Sequence, residues 1–162
     1  MLMAGCSQRE EAVNMGGMNI SSPSFADGGR IPDKFTCKGE NISPRIDMAG
    51  IPDNARSLAV IVDDPDAPMK IWVHWVAWNM PPVSMIPEAG LPQGSVEGVN
   101  DFGVRQYGGP CPPPGSVHRY FFKVYALDAM LDIGEDSDKA DVEKAIKGHV
   151  LAQATLVGTY SR

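Results

Sequence analysis

Seventeen glycines and fourteen prolines spread through 162 residues exclude a helical bundle. In a helix interior glycine costs about 1 kcal/mol against alanine and proline about 3 kcal/mol. Such a chain builds short strands joined by turns, and its apolar runs agree. Ser57-Leu-Ala-Val-Ile-Val62 is a β-branched run stopped by Asp63-Asp64-Pro65, and it reads as a buried strand. Ile71 to Met80 (IWVHWVAWNM), closed by Pro81-Pro82, has the composition of a strand covered on both faces. In His118 to Leu127 (HRYFFKVYAL) a period of two places His118, Tyr120, Phe122 and Val124 on one face, with Arg119, Phe121, Lys123 and Tyr125 on the other.

Residues 83–117 read mostly as loop, ending in a Gly- and Pro-rich stretch from Gly108 to Gly115. Asp136-Ser137-Asp138 supplies N-cap candidates for a helix through about Lys147, whose apolar stripe is Val142, Ala145 and Ile146. Gly148 ends that helix, a short turn is expected over His149–Gln153, and Ala154 to Tyr160 returns as a final strand. The fold class that follows is mainly β: an antiparallel two-sheet β-sandwich with a small helical region near the C-terminus. The length suits one domain, expected over residues 18–162.

A net charge of −6 without any Lys/Arg block argues against nucleic acid as a partner. No apolar run is long enough for a transmembrane helix. Ala4-Gly5 directly before Cys6 looks like the end of a bacterial lipoprotein signal, although its charged and apolar parts are missing. Residues 1–17 are therefore expected to be a truncated signal remnant or a flexible tail. Lipidation of Cys6 would place the protein in the bacterial cell envelope or periplasm, touching the membrane only through that anchor; otherwise it is cytoplasmic. Cys37 and Cys111 then remain as an even pair, and both a disulfide and two separate buried thiols fit the sequence.

Two of the three histidines, His74 and His118, fall inside strands that otherwise read as core. Alternation along Asp64-Pro65-Asp66-Ala67-Pro68 turns Asp64 and Asp66 to a common side, and Pro68 is a candidate for a cis bond. Tyr120 shares the His118 face. With backbone N–H groups at Gly108 and Gly109, next to Pro110, these side chains suit a small oxyanion pocket. Histidine, tyrosine and backbone N–H donate to phosphate or carboxylate oxygens, while an aspartate orients a histidine or receives a ligand amine. Trp72, Trp75 and Trp78 are read as core. The scattered ligands lack the short spacings of zinc motifs, so no metal or other cofactor is expected. His with Asp also suits a nucleophile such as Ser116 or Cys111, but no G-x-S-x-G frame surrounds either one, and phosphoester hydrolysis ranks below binding.

Asp64-Pro-Asp-Ala-Pro68, the W-x-H of Trp72 to His74, and Gly115-Ser-Val-His-Arg-Tyr120 together resemble the phosphatidylethanolamine-binding protein family, and most its bacterial, Raf kinase inhibitor-like branch. The likeness runs from about Ile20 to Arg162. It includes Cys37-Lys-Gly-Glu-Asn-Ile-Ser-Pro44, Tyr107-Gly-Gly-Pro-Cys-Pro-Pro-Pro-Gly115, Tyr125-Ala-Leu-Asp128, Gly148-His-Val-Leu-Ala152 and Gly158-Thr-Tyr160. The resemblance implies an antiparallel β fold with an anion-binding cavity near one end. Its pocket positions would be Asp64, Asp66, His74, His118 and Tyr120, with residues 108–114 as a wall and the family's cis bond at Pro68. It also implies a small anionic ligand or a phosphorylated or acidic protein partner, and a homodimer. The chain ends at Arg162 without the C-terminal helix of mammalian relatives, which implies a more open pocket and leaves kinase inhibition unsupported.

Overall fold

The computed structural model describes residues 14–162. Its central element is β3 (Ser57–Asp64), in which all eight residues are buried, so both faces are covered. On one side β3 pairs with β4 (Trp72–Met80), which in turn pairs with the two-residue β6 (Val96–Glu97). On the other side it pairs with β7 (Val117–Leu127), followed by β8 (Val150–Ser161). A smaller sheet has the order β1 (Asn19–Ser21), β2 (Ile46–Ala49), β5 (Met85–Ile86). Every pairing of these named strands is antiparallel.

Two cores follow from the period of two. Val60, Val62, Phe122 and Val124 project from the large sheet toward Ile46 and Met48 of the small one. Ala59, Ile61 and Tyr125 project from the opposite face and are covered by Val142 and Ile146 of α1 (Lys139–Ile146). The helix starts where an aspartate caps it: Asp138 Oδ1 accepts from the Asp141 N–H at 3.1 Å, and the Asp138 N–H donates to Asp141 Oδ2 at 3.2 Å. The first helical residue, Lys139, reaches Asp63 Oδ2 at 2.6 Å, and Lys123 joins it at 3.1 Å.

The last strand is longer than the sequence suggested. The turn after α1 covers residues 147–149, with Gly148 at φ +85° reversing the chain, and in place of a longer turn through 153 β8 pairs with β7 from Val150 onward. Residues 14–17, assigned to the tail by sequence, are attached to the same edge. Met15 exchanges two backbone hydrogen bonds with Gln153, and Asn14 Oδ1 accepts from the Thr155 N–H at 3.0 Å. Cys6 lies outside the described residues.

The register of β4 contains the irregularity on which the site depends. Val62 faces Trp75, but the next residue, Asp63, faces Val73. His74 is therefore the additional residue of a β-bulge, a device that re-aims a side chain and raises local twist. Val73 stays on the helix side, whereas both His74 and Trp75 turn away from it.

Phe122 is fully buried between the sheets, whereas Val117, on the same strand, is 67% exposed. In urea denaturation Phe122→Ala is expected to remove about 3–5 kcal/mol, and Val117→Ala to change stability by less than about 0.5 kcal/mol.

Candidate functional site

At the end of the inner face a cavity of about 330 Å³ is lined by Asp64, Ala67, Pro68, Trp72, His74, Phe102, Cys111, Pro112, Pro113, His118 and Tyr120. Adjacent strands deliver its polar groups. Asp64 ends β3, His118 and Tyr120 lie two apart at the start of β7, and the bulge adds His74 from β4. A larger surface depression of about 610 Å³ beside α1 gathers none of these groups.

Both pocket histidines are oriented through Nδ1. His118 Nδ1–H donates to Asp64 Oδ2 at 2.7 Å, with both side chains almost wholly buried. His74 Nδ1–H donates to the Gly108 carbonyl at 2.6 Å. Among the described residues no hydrogen-bond partner meets Nε2 of either ring. Burial pushes His74 below the ordinary histidine range, against the weaker upward pull of the Gly108 carbonyl and Asp64. The Tyr120 ring stands edge-on to His74 at 5.2 Å, and the buried Tyr120 hydroxyl has no hydrogen-bond partner among the described residues. Burial, seconded by nearby Asp64, raises its pKa.

Several expectations need correction. Asp66 does not line the cavity. Asp64 Oδ1 accepts the Asp66 N–H at 2.8 Å, which turns the chain, and the Asp66 carboxylate faces Arg119 on the other face of β7. Its Oδ2 accepts from the Arg119 backbone N–H and Nε, both at 2.9 Å, and its Oδ1 from the guanidinium at 2.8 Å. Hydrogen bonding by Arg119 holds this carboxyl below the usual carboxylate range. Pro68 lines the cavity on a trans bond, since no peptide bond among the described residues is cis and the Asp64–Asp66 turn closes without one.

Gly108 and Gly109 do not offer free N–H groups to a ligand. The Gly108 N–H donates to the His74 carbonyl at 2.9 Å and the Gly109 N–H to Asn41 Oδ1 at 2.8 Å. They are glycines because of close approach. A Cβ at 108 would strike the Phe102 ring at 2.6 Å, and one at 109 would collide with the Phe35 carbonyl. Pro110 acts as a brace, its carbonyl accepting from the Cys37 N–H at 3.1 Å. The wall is covalently tied as well: Cys37 and Cys111 form a disulfide, with Cα atoms 5.4 Å apart. Cys111 is thus no thiolate nucleophile, and Ser116 lies outside the cavity lining. Arg162 Nε donates to the Pro112 carbonyl at 2.6 Å, so the chain's last residue supports the wall.

Trp72 and Phe102 are wall residues that the sequence reading placed in the core or passed over. Their rings pack edge-on at 5.5 Å, and Phe102 stands at the same distance from His74. Asn100, 4% exposed, builds the loop that carries Phe102: its Oδ1 accepts from the Phe102 and Val104 N–H groups, and its Nδ2 donates to the Gln106 carbonyl at 2.7 Å. The sequence carried no signal for this, because the four side-chain hydrogen bonds of Asn100 exist only in the folded loop. The third histidine, His149, lies elsewhere and pairs with Asp128 at 2.7 Å.

Residues 21–161 match the sequence profile described as phosphatidylethanolamine-binding protein. The chain belongs to the phosphatidylethanolamine-binding protein family. It is 54% identical over 151 residues to a UPF0098 protein of Methanothermobacter thermautotrophicus, covering 90% of this chain and 99% of that one. A crystal structure of a phosphatidylethanolamine-binding protein homologue from Chlamydia trachomatis superposes with a TM-score of 0.85 at 38% identity, over 91% of this chain and 99% of that one. YbcL of E. coli, described as a member of the mammalian family, gives 0.84 at 33% identity, over 90% and 98%.

Two outcomes are expected. Because His74 titrates lower folded than unfolded, the unfolded chain binds the additional proton below about pH 6.5, so this contribution to stability is present above that pH and lost as pH falls toward the folded value. Urea midpoints at pH 7.5 and 5.0 should show wild type losing more than His74→Asn, whose amide can keep the Gly108 bond; equal losses would mean that His74 is not held neutral. The disulfide closes a sequence separation of 74, and reducing it should lower unfolding free energy by about 2–4 kcal/mol in the same assay.

Proposed function

We propose that this protein binds a small anionic or zwitterionic phospho-ligand, a phosphate or phosphoethanolamine-like head group, in the cavity of Asp64, His74, His118 and Tyr120. The observation that carries the reading is the Tyr120 hydroxyl, buried in the cavity wall with no partner among the described residues. More than about 90% of buried polar groups in native proteins are hydrogen-bonded, so a donor left over beside a cavity calls for a ligand oxygen. His118 supports the same conclusion. Asp64 fixes its proton on Nδ1, so a second proton taken up with an anionic ligand would sit on Nε2 and point at the same space, its charge compensated by the carboxylate. At about 330 Å³ the cavity suits a head group rather than a polymer.

The reading is one of binding rather than turnover, since neither nucleophile candidate from the sequence is available in the cavity. A second reading has the same pocket gripping a phosphorylated or acidic side chain of a protein partner, a second copy of this chain included. Exposed Phe102 in the cavity wall and fully exposed Met69 next to Pro68 favour it as apolar contacts around an anion site. Loss of a captured partner on addition of free phosphate supports that version.

Thermal-shift titration with phosphate and O-phosphoethanolamine tests the primary reading. At a hundred times Kd a ligand stabilises by about 2.7 kcal/mol, several degrees for a domain of this size. Tyr120→Phe removes a buried unpaired hydroxyl, so the unliganded variant should be as stable as wild type or more so by about 1 kcal/mol, while its affinity drops about tenfold. Unchanged affinity in Tyr120→Phe and in His118→Ala would overturn the assignment.

A further inference from the structure

The two pocket histidines are oriented alike but do not present the same chemistry. The partner of His118 Nδ1 is the carboxylate of Asp64. The partner of His74 Nδ1 is a backbone carbonyl, that of Gly108. A carbonyl only accepts, so the His74 proton sits on Nδ1, and the neutral ring turns a lone pair outward at Nε2. Its surroundings keep it neutral. The residue is 3% exposed, and its ring packs edge-on with those of Phe102 and Tyr120, with centroids 5.5 Å and 5.2 Å away. Burial outweighs the ionisable groups acting on it, Asp64 and Asp63 from β3, which pull the other way, and Tyr120 and His118 from β7 complete the cavity wall.

The carboxylate oxygens of Asp64 and Asp66 are already committed. Asp64 Oδ2 holds His118 and its Oδ1 holds the Asp66 N–H. Both oxygens of Asp66 face Arg119. Tyr120 donates, and His118, when a proton sits on each of its ring nitrogens, donates beside it with Asp64 compensating the charge, which leaves His74 Nε2 as the acceptor that requires a donor from the ligand. An oxyanion with no proton of its own would leave that lone pair facing its oxygens, a buried mismatch comparable to removing one partner of a hydrogen bond.

Resting on the phospho-ligand reading above, we propose that the pocket selects phosphomonoesters over phosphodiesters, with the P–OH of the monoester monoanion donating to His74 Nε2 while Tyr120 and His118 donate to its anionic oxygens. A monoester at its second ionisation, near pH 6, offers both an acceptor and a donor; a diester offers acceptors only. His74 is thereby a specificity-determining residue, and an intact diester head group is the poorer ligand.

Calorimetric titration of the full chain at pH 6 with methyl phosphate and dimethyl phosphate, which differ by one methyl group, tests this. Wild type should bind the monoester at least tenfold more tightly, and His74→Asn should lose most of that preference while keeping a wild-type urea midpoint at pH 7.5 within the error of the assay. If His74→Asn is less stable than that, the comparison is repeated with His74→Gln, and the same loss of preference is expected. A monoester preference that survives in a folded His74 variant comes from size or charge rather than from His74 and overturns the proposal. Equal binding of the two esters by wild type also overturns it, yet leaves the phospho-ligand reading standing. If folded wild type binds neither ester, inorganic phosphate nor O-phosphoethanolamine, both fail together.

Discussion

Two adjacent buried carboxylates at the end of β3 set the terms for everything around them. A carboxylate out of water requires a cation or several donors, and Asp63 and Asp64 point to opposite faces because strand side chains alternate. Asp63 takes Lys123 and Lys139, and Lys139 is the first residue of α1, so the ion pair anchors the helix that covers the outer core. Asp64 takes His118 and thereby opens the cavity on the inner face. A slip of one residue in the β3–β7 register would exchange the two carboxylates, leaving the helix unanchored and the histidine unpartnered. The fold's electrostatics and its register therefore enforce one another.

The wall opposite Asp64 is built under a different constraint, that of backbone packed against backbone. The chain from Tyr107 to Cys111 is fastened to residues 35–41 by the Tyr107 hydroxyl on the Phe35 carbonyl, Gly109 on Asn41, Cys37 on the Pro110 carbonyl and the disulfide. That fastening fixes the Gly108 carbonyl, which in turn fixes the tautomer of His74. Loop geometry therefore sets a proton position, and through it the polarity of one side of the cavity.

Much of this was legible before any coordinates. β-branched runs bounded by proline marked β3 and β4, alternation marked β7 and put His118 beside Tyr120, and Asp136-Ser137-Asp138 marked the start of α1 without saying which residue caps it. Those signals are local. What was not legible depends on pairing across the chain. The bulge that frees His74 exists only relative to β3, and the diversion of Asp66 requires Arg119 on the next strand. The glycine-rich stretch read as an anion cradle because a free N–H and an N–H bonded to Asn41 look the same in sequence. Trp72 read as core because three tryptophans at spacing three carry no sign of which one meets a cavity. The disulfide stayed open for the same reason: the distance between Cys37 and Cys111 is a property of the folded wall.

The cavity holds features that oppose folding: an unpaired buried hydroxyl, a histidine kept neutral by burial and a carboxylate out of water. Each is tolerated because neighbouring structure over-determines it. Tyr120 pairs with Gly158 within the longest ladder, β7 against β8, which fixes its backbone, and its ring packs edge-on against His74. His74 is gripped from both sides, its Nδ1–H on Gly108 and its carbonyl taken by Gly108 and Asn100. The polar groups are thus held in place, and on the proposed reading little ordering entropy would oppose binding. On the proposed reading, the two rings, each held through Nδ1, cannot turn to repair a mismatch, so such a site would discriminate by proton count more than by shape.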